Sequence, residues 1–365
     1  MRNGIVALSI ALLPSSLLAQ ARPLIRGAVI SEQTLGVKLA RIGSLSLGPS
    51  GYLAAVLFPG PQIAIVRGAD RPIVFSRDGS GPGELRSPSA IGWIDDNLWV
   101  GDGVLGRVTL FTSSGTLVRS IPAPGSMMGG PVLLRDGHVA LVPLARATVE
   151  QQRPAPERVL RVSAGKVSDT LLTLMTQHRA FSVTMPQGHM VGEQAFDDFP
   201  LLRAFPNGSG FVVVKRPIGR GKSAEYSVQR FAVTGQLLFQ RSFWFTPVPL
   251  AKQDVDAVVA KVVTDMGGSA DPGLPARIEA ALFRPSYFPP VNAVVPGQDG
   301  TLWIQRERTT TALGKWTLLS AKGSPVGDFL LPTTLQVRAG TATAVWGVET
   351  DADGVPSIVE YRVPR

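Results

Sequence analysis

The stretch from Pro72 to Pro122, PIVFSRDGSGPGELRSPSAIGWIDDNLWVGDGVLGRVTLFTSSGTLVRSIP, decides how the chain is read. It opens with an apolar run at 73–75 and passes through a glycine-rich link at 78–84. Four short strand-like runs then follow, at 90–94, 97–100, 107–111 and 116–121. Turn residues separate them: Asp95-Asp96, then 101–106, then 113–115. Three tight antiparallel connections with a longer link on either side describe one blade of a β-propeller.

The same grouping recurs on both sides of this stretch. A first group of four occupies 41–47, 52–58, 62–67 and 72–76, and a third begins at 131–134 and ends near 174. A fourth runs from 201 to 245, and a fifth from 291 to 331. The sixth has three runs only, at 335–338, 344–349 and 357–363. One unassigned strand-like segment, 24–39, precedes the first group. A ring closes well when such a leading strand completes the last blade, because closure pairs an edge that would otherwise stay open. The expectation is therefore an all-β, six-bladed propeller over 22–365, with 26–39 lying against 357–363. Two stacked sandwiches or a β-solenoid leave the leading strand without a place.

One segment departs from the β pattern. In 251–266, AKQDVDAVVAKVVTDM, apolar residues fall at Val255, Val258, Val259, Val262, Val263 and Met266, the spacing of one helix face. A second short helix is expected within 275–283, so the link 247–290 between the fourth and fifth blades carries a small helical insertion at about 251–285. It reads as a clip over the ring, with a lid or partner surface as the alternative.

Composition and the first residues suggest an address. Hydrophobic residues make up 44% of the chain, enough for a large core, and the 39 Gly and 30 Pro punctuate apolar runs. Residues 1–21 read as a secretory signal peptide: Arg2, an apolar run at 5–13, and Ala19-Gln20-Ala21 as the small-x-small cleavage site. No later segment is apolar for long enough to span a bilayer. With no cysteine there is no disulfide and no thiolate chemistry. An exported monomer, periplasmic or extracellular, is expected. The net charge of +9 suits a solvated, arginine-rich surface or an anionic partner such as a surface ligand. No basic stripe interleaved with aromatics suggests nucleic acid.

Strand direction gathers the long links, 78–88, 145–157, 176–200, 216–225, 246–290 and 307–315, on one face of the ring. A mouth at that end of the channel is the expected binding site. Candidate ligand-binding residues there are Arg77, Asp102, Arg107, His178, Arg216, Tyr287, Arg306 and Arg308. His178 and His189 with Asp197-Asp198 could supply metal ligands, but they lack a fixed spacing, and Asp197-Asp198 reads better as a solvated turn. Asp351-Ala352-Asp353-Gly354 echoes half a calcium loop without its later acidic ligands and reads as a hairpin turn. Gly79-Ser80-Gly81-Pro82-Gly83 is no nucleophile elbow, since Pro82 forbids the helix that would follow. As a phosphate cradle it lacks the lysine and the helix N-terminus. No catalytic group, metal or cofactor is assigned.

Residues 76–85, SRDGSGPGEL, resemble the G-R-x-G-x-G-P-G-E-F link of secreted bacterial six-bladed propellers of the NHL-like type, with Ser76 and Leu85 in place of Gly and Phe. Asn97-Leu98-Trp99-Val100-Gly101-Asp102 and Arg107-Val108-Thr109-Leu110-Phe111 are similar to that family's L-W-V-x-D and R-V-x-x-F strands, and 299–304 repeats the first of them. The resemblance implies the propeller and export, and no single activity. Three functions follow as alternatives: a binding or interaction module working through the loop-rich face, a lactonase-like or lyase enzyme with a divalent metal in the channel, or a structural partner of an envelope protein docking through the helices.

Overall fold

The computed structural model describes residues 21–124, 129–143, 154–177, 179–185, 188–219, 224–265, 271–306 and 312–364. The segment 1–21, read above as a signal peptide, lies outside them except for Ala21. Six small antiparallel sheets stand around a central channel. Blade 1 comprises Arg41–Leu47, Tyr52–Phe58, Gln62–Arg67 and Ile73–Phe75, and blade 2 comprises Pro88–Ile94, Asn97–Asp102, Arg107–Thr112 and Leu117–Pro122. Blade 3 runs through Gly129–Leu133, Val139–Pro143, Ala155–Ser163 and Lys166–Thr176. Blade 4 has Leu201–Ala204, Phe211–Lys215, Ala224–Phe231 and Leu237–Phe245, and blade 5 has Val291–Pro296, Leu302–Arg306, Leu313–Leu319 and Pro325–Pro332. Blade 6 contributes Gln336–Gly340, Ala344–Thr350 and Pro356–Arg362.

The burial gradient across a blade follows from this arrangement. A second strand such as Tyr52–Phe58 is covered on both faces by neighbouring blades, so its sequence YLAAVLF is almost continuously apolar and buried. The outermost strand Leu117–Pro122 faces water and is nearly all exposed. The core is therefore distributed among the interfaces between blades. Ile63 and Ile65 of blade 1, for instance, pack with Trp93, Leu98 and Phe111 of blade 2.

Closure uses the start of the chain. Ile25–Ile30 lies antiparallel to Pro356–Arg362, with Val29 opposite Val359, and becomes the fourth strand of blade 6. Just before it, Arg22–Pro23 adds a parallel fifth strand to blade 5, with Arg22 opposite Phe329. Residues 22–30 thus tie two blades at once. The ladder stops sooner than the sequence suggests, because Ser31 caps a short helix α1 (Glu32–Leu35), which Gly36 ends at φ 70°.

Two helices fill the expected insertion: α2 (Lys252–Asp265) and α3 (Leu274–Ala281). The link between blades 3 and 4, expected as an irregular loop, holds regular structure. It forms a hairpin of Ala180–Met185 and Gly188–Glu193, outside the blades. Hairpin and helices share one hydrophobic cluster, in which Phe181 and Val183 meet Val255, Val259, Leu274 and Ile278. Gln194 stitches them together: its Nε2 donates to Ala281 O at 2.9 Å, and its Oε1 accepts from Phe283 N at 2.8 Å. Two insertions distant in sequence thereby build one cap.

Candidate functional site

The channel closes at the face that carries the tight turns. There the blade 4 turn reaches across the axis, and Pro206 O accepts from both Trp93 N and Trp99 Nε1 of blade 2 at 3.0 Å. Asn207 Nδ2 donates to Gln298 O of blade 5 at 2.8 Å, and Gln298 N reaches Gly340 O of blade 6 at 3.3 Å. Gly92 makes the approach possible, since a Cβ there would lie 2.0 Å from Pro206 O. The tryptophans of the two similar strands do comparable work, for Trp303 Nε1 donates to Thr341 O of the next blade at 2.8 Å. The L-W signature therefore marks a clamp between blades.

Above this plug lies a cavity of about 970 Å³ bounded by the innermost strands of all six blades. Its mouth faces the long links, and α2 lies at that mouth, adding Val258, Lys261, Val262 and Asp265 to the lining. The apolar part of the wall includes Leu45, Ile91, Val132, Leu202 and Val294. Interrupting it are Ser44, Ser89, Arg203, Arg216, Asn292, Gln298 and Arg338. Arg203, Asn292 and Arg338 reach the cavity from the inner strands of blades 4, 5 and 6.

Arg216 is held firmly. Its Nε donates to Phe199 O at 2.9 Å, its Nη1 donates to Val291 O at 2.8 Å, and its guanidinium lies over the Phe199 ring. Burial pulls its pKa down to about 10, with Asp197 and Asp198 pulling the other way and Arg203 adding to the fall. Arg216 stays charged at neutral pH. Burial lowers the pKa of Arg338 as well, and Arg41 adds to that effect. Arg338 Nη2 donates to Gln336 Oε1 at 2.7 Å, and Arg203 Nη1 to Leu202 O at 2.8 Å. Lys261 pairs with Asp265 at 2.8 Å, one turn along α2.

Of the eight residues expected to bind ligand, Arg216 lines this cavity. Arg77, Asp102 and Arg107 instead surround the link between blades 1 and 2. Asp102 is fully buried and accepts from Arg86 N at 2.7 Å, Ser87 N at 2.9 Å and Leu105 N at 3.0 Å. Arg107 Nη2 donates to Gly81 O and Glu84 O, both at 2.7 Å. Arg77 Nε pairs with Glu84 Oε1 at 2.7 Å. Glu84 in turn accepts from Gly81 N at 2.8 Å, so the amides that could have cradled a phosphate already hold a carboxylate from their own loop. A Cβ on Gly79 would lie 2.1 Å from Glu84 Oε2.

Arg306 stacks on the Tyr226 ring between blades 4 and 5, and Tyr287 makes a lone bridge to Pro249 beside the cap. His178 and Arg308 lie outside the described residues. The Asp197-Asp198 pair is a correction: Asp197 is buried, and both carboxylates bind Arg179, that of Asp198 at 3.0 Å. Asp351 does form the expected hairpin turn, its Oδ1 accepting from Asp353 N and Val355 N. Among the described residues no three His, Asp or Glu side chains come together as a metal site. No helix among them is long and apolar enough to cross a membrane.

No family model matches the sequence, and neither does any curated protein. Solved structures do resemble it. A Bacteroides fragilis protein classed by inference as exported aligns with TM-score 0.50 at 11% identity, over 94% of this chain and 95% of that one. A member of the DUF4221 family from Bacteroides vulgatus gives 0.47 at 9% identity, over 93% and 97%. The calcium-binding protein regucalcin from Agrobacterium tumefaciens gives 0.44 at 12% identity, over 95% and 98%. At such identities the likeness concerns the fold.

Proposed function

We propose that this six-bladed propeller is an exported binding module that holds a small solute in the capped end of its channel. One observation carries the reading: a cavity of about 970 Å³, with the blade turns at its floor and α2 bordering its mouth. That volume suits an organic ligand, and the lining offers both apolar side chains and polar groups to orient one. Among the described residues Asp265 is the one carboxylate in the lining, and Lys261 already occupies it. A metal-assisted lyase would ask for several carboxylates there. Export rests on the character of residues 1–21.

The test is a solute screen followed by thermal shift and native mass spectrometry on two proteins, the parent and Asn292→Trp. Asn292 lines the cavity from an inner strand, so the indole would occupy the space. A bound solute should stabilise the parent and leave the variant unmoved. Equal response of both proteins to every solute would overturn the reading.

A further inference from the structure

We infer that the solute is polyhydroxylated, a mono- or disaccharide, read by four polar side chains that bulges in the innermost strands set around the channel. This deepens the binding reading above and rests on it. In four blades the innermost strand carries one residue more than the strand it pairs with. In blade 5 Val291 lies opposite Arg306 and Ala293 opposite Gln305, which leaves Asn292 over. Ser89 is left over in the same way in blade 2, between Pro88 and Ala90, and Arg338 in blade 6, between Val337 and Ala339. In blade 1 Ile42 lies opposite Leu57 and Leu45 opposite Ala55, so Gly43 and Ser44 together answer Val56. A bulge of this kind interrupts the alternation of a strand and re-aims a side chain. Ser44, Ser89, Asn292 and Arg338 all line the one cavity. Blades 5, 6, 1 and 2 follow one another around the closed ring, so these groups form a single arc. The inner ladders of blades 3 and 4 run without such a step, and from them Val132 and Leu202 join the wall.

What the arc still has to offer selects the chemistry. Ser44 Oγ donates to Ser89 O at 3.1 Å and Ser89 Oγ to Gly101 O at 3.4 Å, so both hydroxyls keep lone pairs. Asn292 Nδ2 donates to Gln305 Oε1 at 2.8 Å, which leaves Oδ1 as an acceptor and one N–H as a donor. Arg338 donates to Gln336 Oε1 at 2.7 Å and keeps further N–H groups. Gly130 of blade 3 stands beside Ser89, and a Cβ there would lie 2.9 Å from Ser89 Oγ, so the glycine leaves that oxygen uncovered. A carboxylate or phosphate only accepts and has nothing to give these oxygens, and an ammonium only donates and meets Arg338. A hydroxyl does both. A sugar carries its hydroxyls around the edge of a ring, which matches groups spread along an arc. The other charges of the lining are already engaged. Lys261 pairs with Asp265, and Arg203 donates to Leu202 O. Arg216 rests on two carbonyls, and the charge that Asp197 and Asp198 leave over from Arg179 answers it.

Calorimetric titration of the full chain with glucose, maltose, permethylated glucose, cyclohexanol, hexanoate and alanylalanine tests this. Glucose or maltose should bind at least about tenfold more tightly than permethylated glucose, which keeps the ring and its oxygens but donates nothing. That comparison uses the parent protein alone, so the inference does not depend on a variant folding. Ser89→Ala and Arg338→Gln should each weaken the bound sugar by about fivefold, and Gly130→Ala should do the same by covering Ser89 Oγ. Permethylated glucose or cyclohexanol binding as tightly as the free sugars would overturn the inference, as would a failure of both sugars to bind. If hexanoate, cyclohexanol or alanylalanine binds, is lost in Asn292→Trp, and neither sugar binds, the polyhydroxyl class falls and the binding module stands. If Asn292→Trp alters no probe, both fall.

Discussion

Ile30 lies opposite Ile358 in the ladder that joins the first blade strand of the chain to the last. Both are buried in the cluster shared by blades 6 and 1, so closure is secured by side chains as well as by backbone hydrogen bonds. Ile30→Ala should lower the stability of the whole ring by about 2–4 kcal/mol, the usual cost of emptying such a site. Urea unfolding measures it. Deleting residues 22–30 should leave Pro356–Arg362 as an open edge, and light scattering should then show association through it. A deletion variant as stable and monodisperse as the parent would contradict the seal.

Glu84 gives the link between blades 1 and 2 a dependence on acid. Its carboxyl is held below its ordinary value of 4.5, chiefly by the Gly81 amide and then by Arg77. The folded carboxylate is the favoured form, so its contribution is complete above the unfolded pKa and is lost as pH falls from about 4.5 through the lowered folded value. Urea midpoints measured between pH 3 and pH 7 should fall more gently in Glu84→Gln than in the parent. Identical slopes would remove Glu84 from the account. Gly79→Ala should destabilise at every pH, because its backbone sits at φ 158° with the carboxylate against it.

Asp102, fully buried, accepts from three backbone amides. Asp102→Ala takes the acceptor from three part-buried donors, and should cost about 1–3 kcal/mol in chemical denaturation. Asp102→Asn keeps one acceptor oxygen and should lose less. A neutral alanine variant would mean that the link finds other partners.

The cap should open as a unit. Gln194→Ala removes the stitch between hairpin and helices, so deuterium uptake should rise together in 180–193 and in 252–281 while strands of blades 1 and 2 keep their protection. Uptake rising in the hairpin alone would show two independent pieces.

The blades were legible because each is written locally, as apolar runs separated by Asp-Gly, Asn-Gly and Gly-Pro turns. α2 was legible from the valine spacing, which no strand would produce. The hairpin at 180–193 was missed for a different reason. Phe181 and Val183 do alternate with Ser182 and Thr184, yet the surface they pack on is supplied by helices some 70 residues later. Asp102 and Arg107 show the other boundary of sequence reading. A charged residue beside a loop looks the same whether it faces solvent or the loop's own amides, and here three short distances decide. Arg203 and Arg338 left one visible trace, an arginine inside an otherwise apolar inner strand. Only the closed ring sets both on the wall of one cavity.

The blade 4 turn that spans the axis makes the channel a cul-de-sac. Anything admitted past α2 has to back out through the same doorway, so arrival and departure share one gate. Changes that loosen the cap should quicken both alike and shift residence time more than equilibrium occupancy.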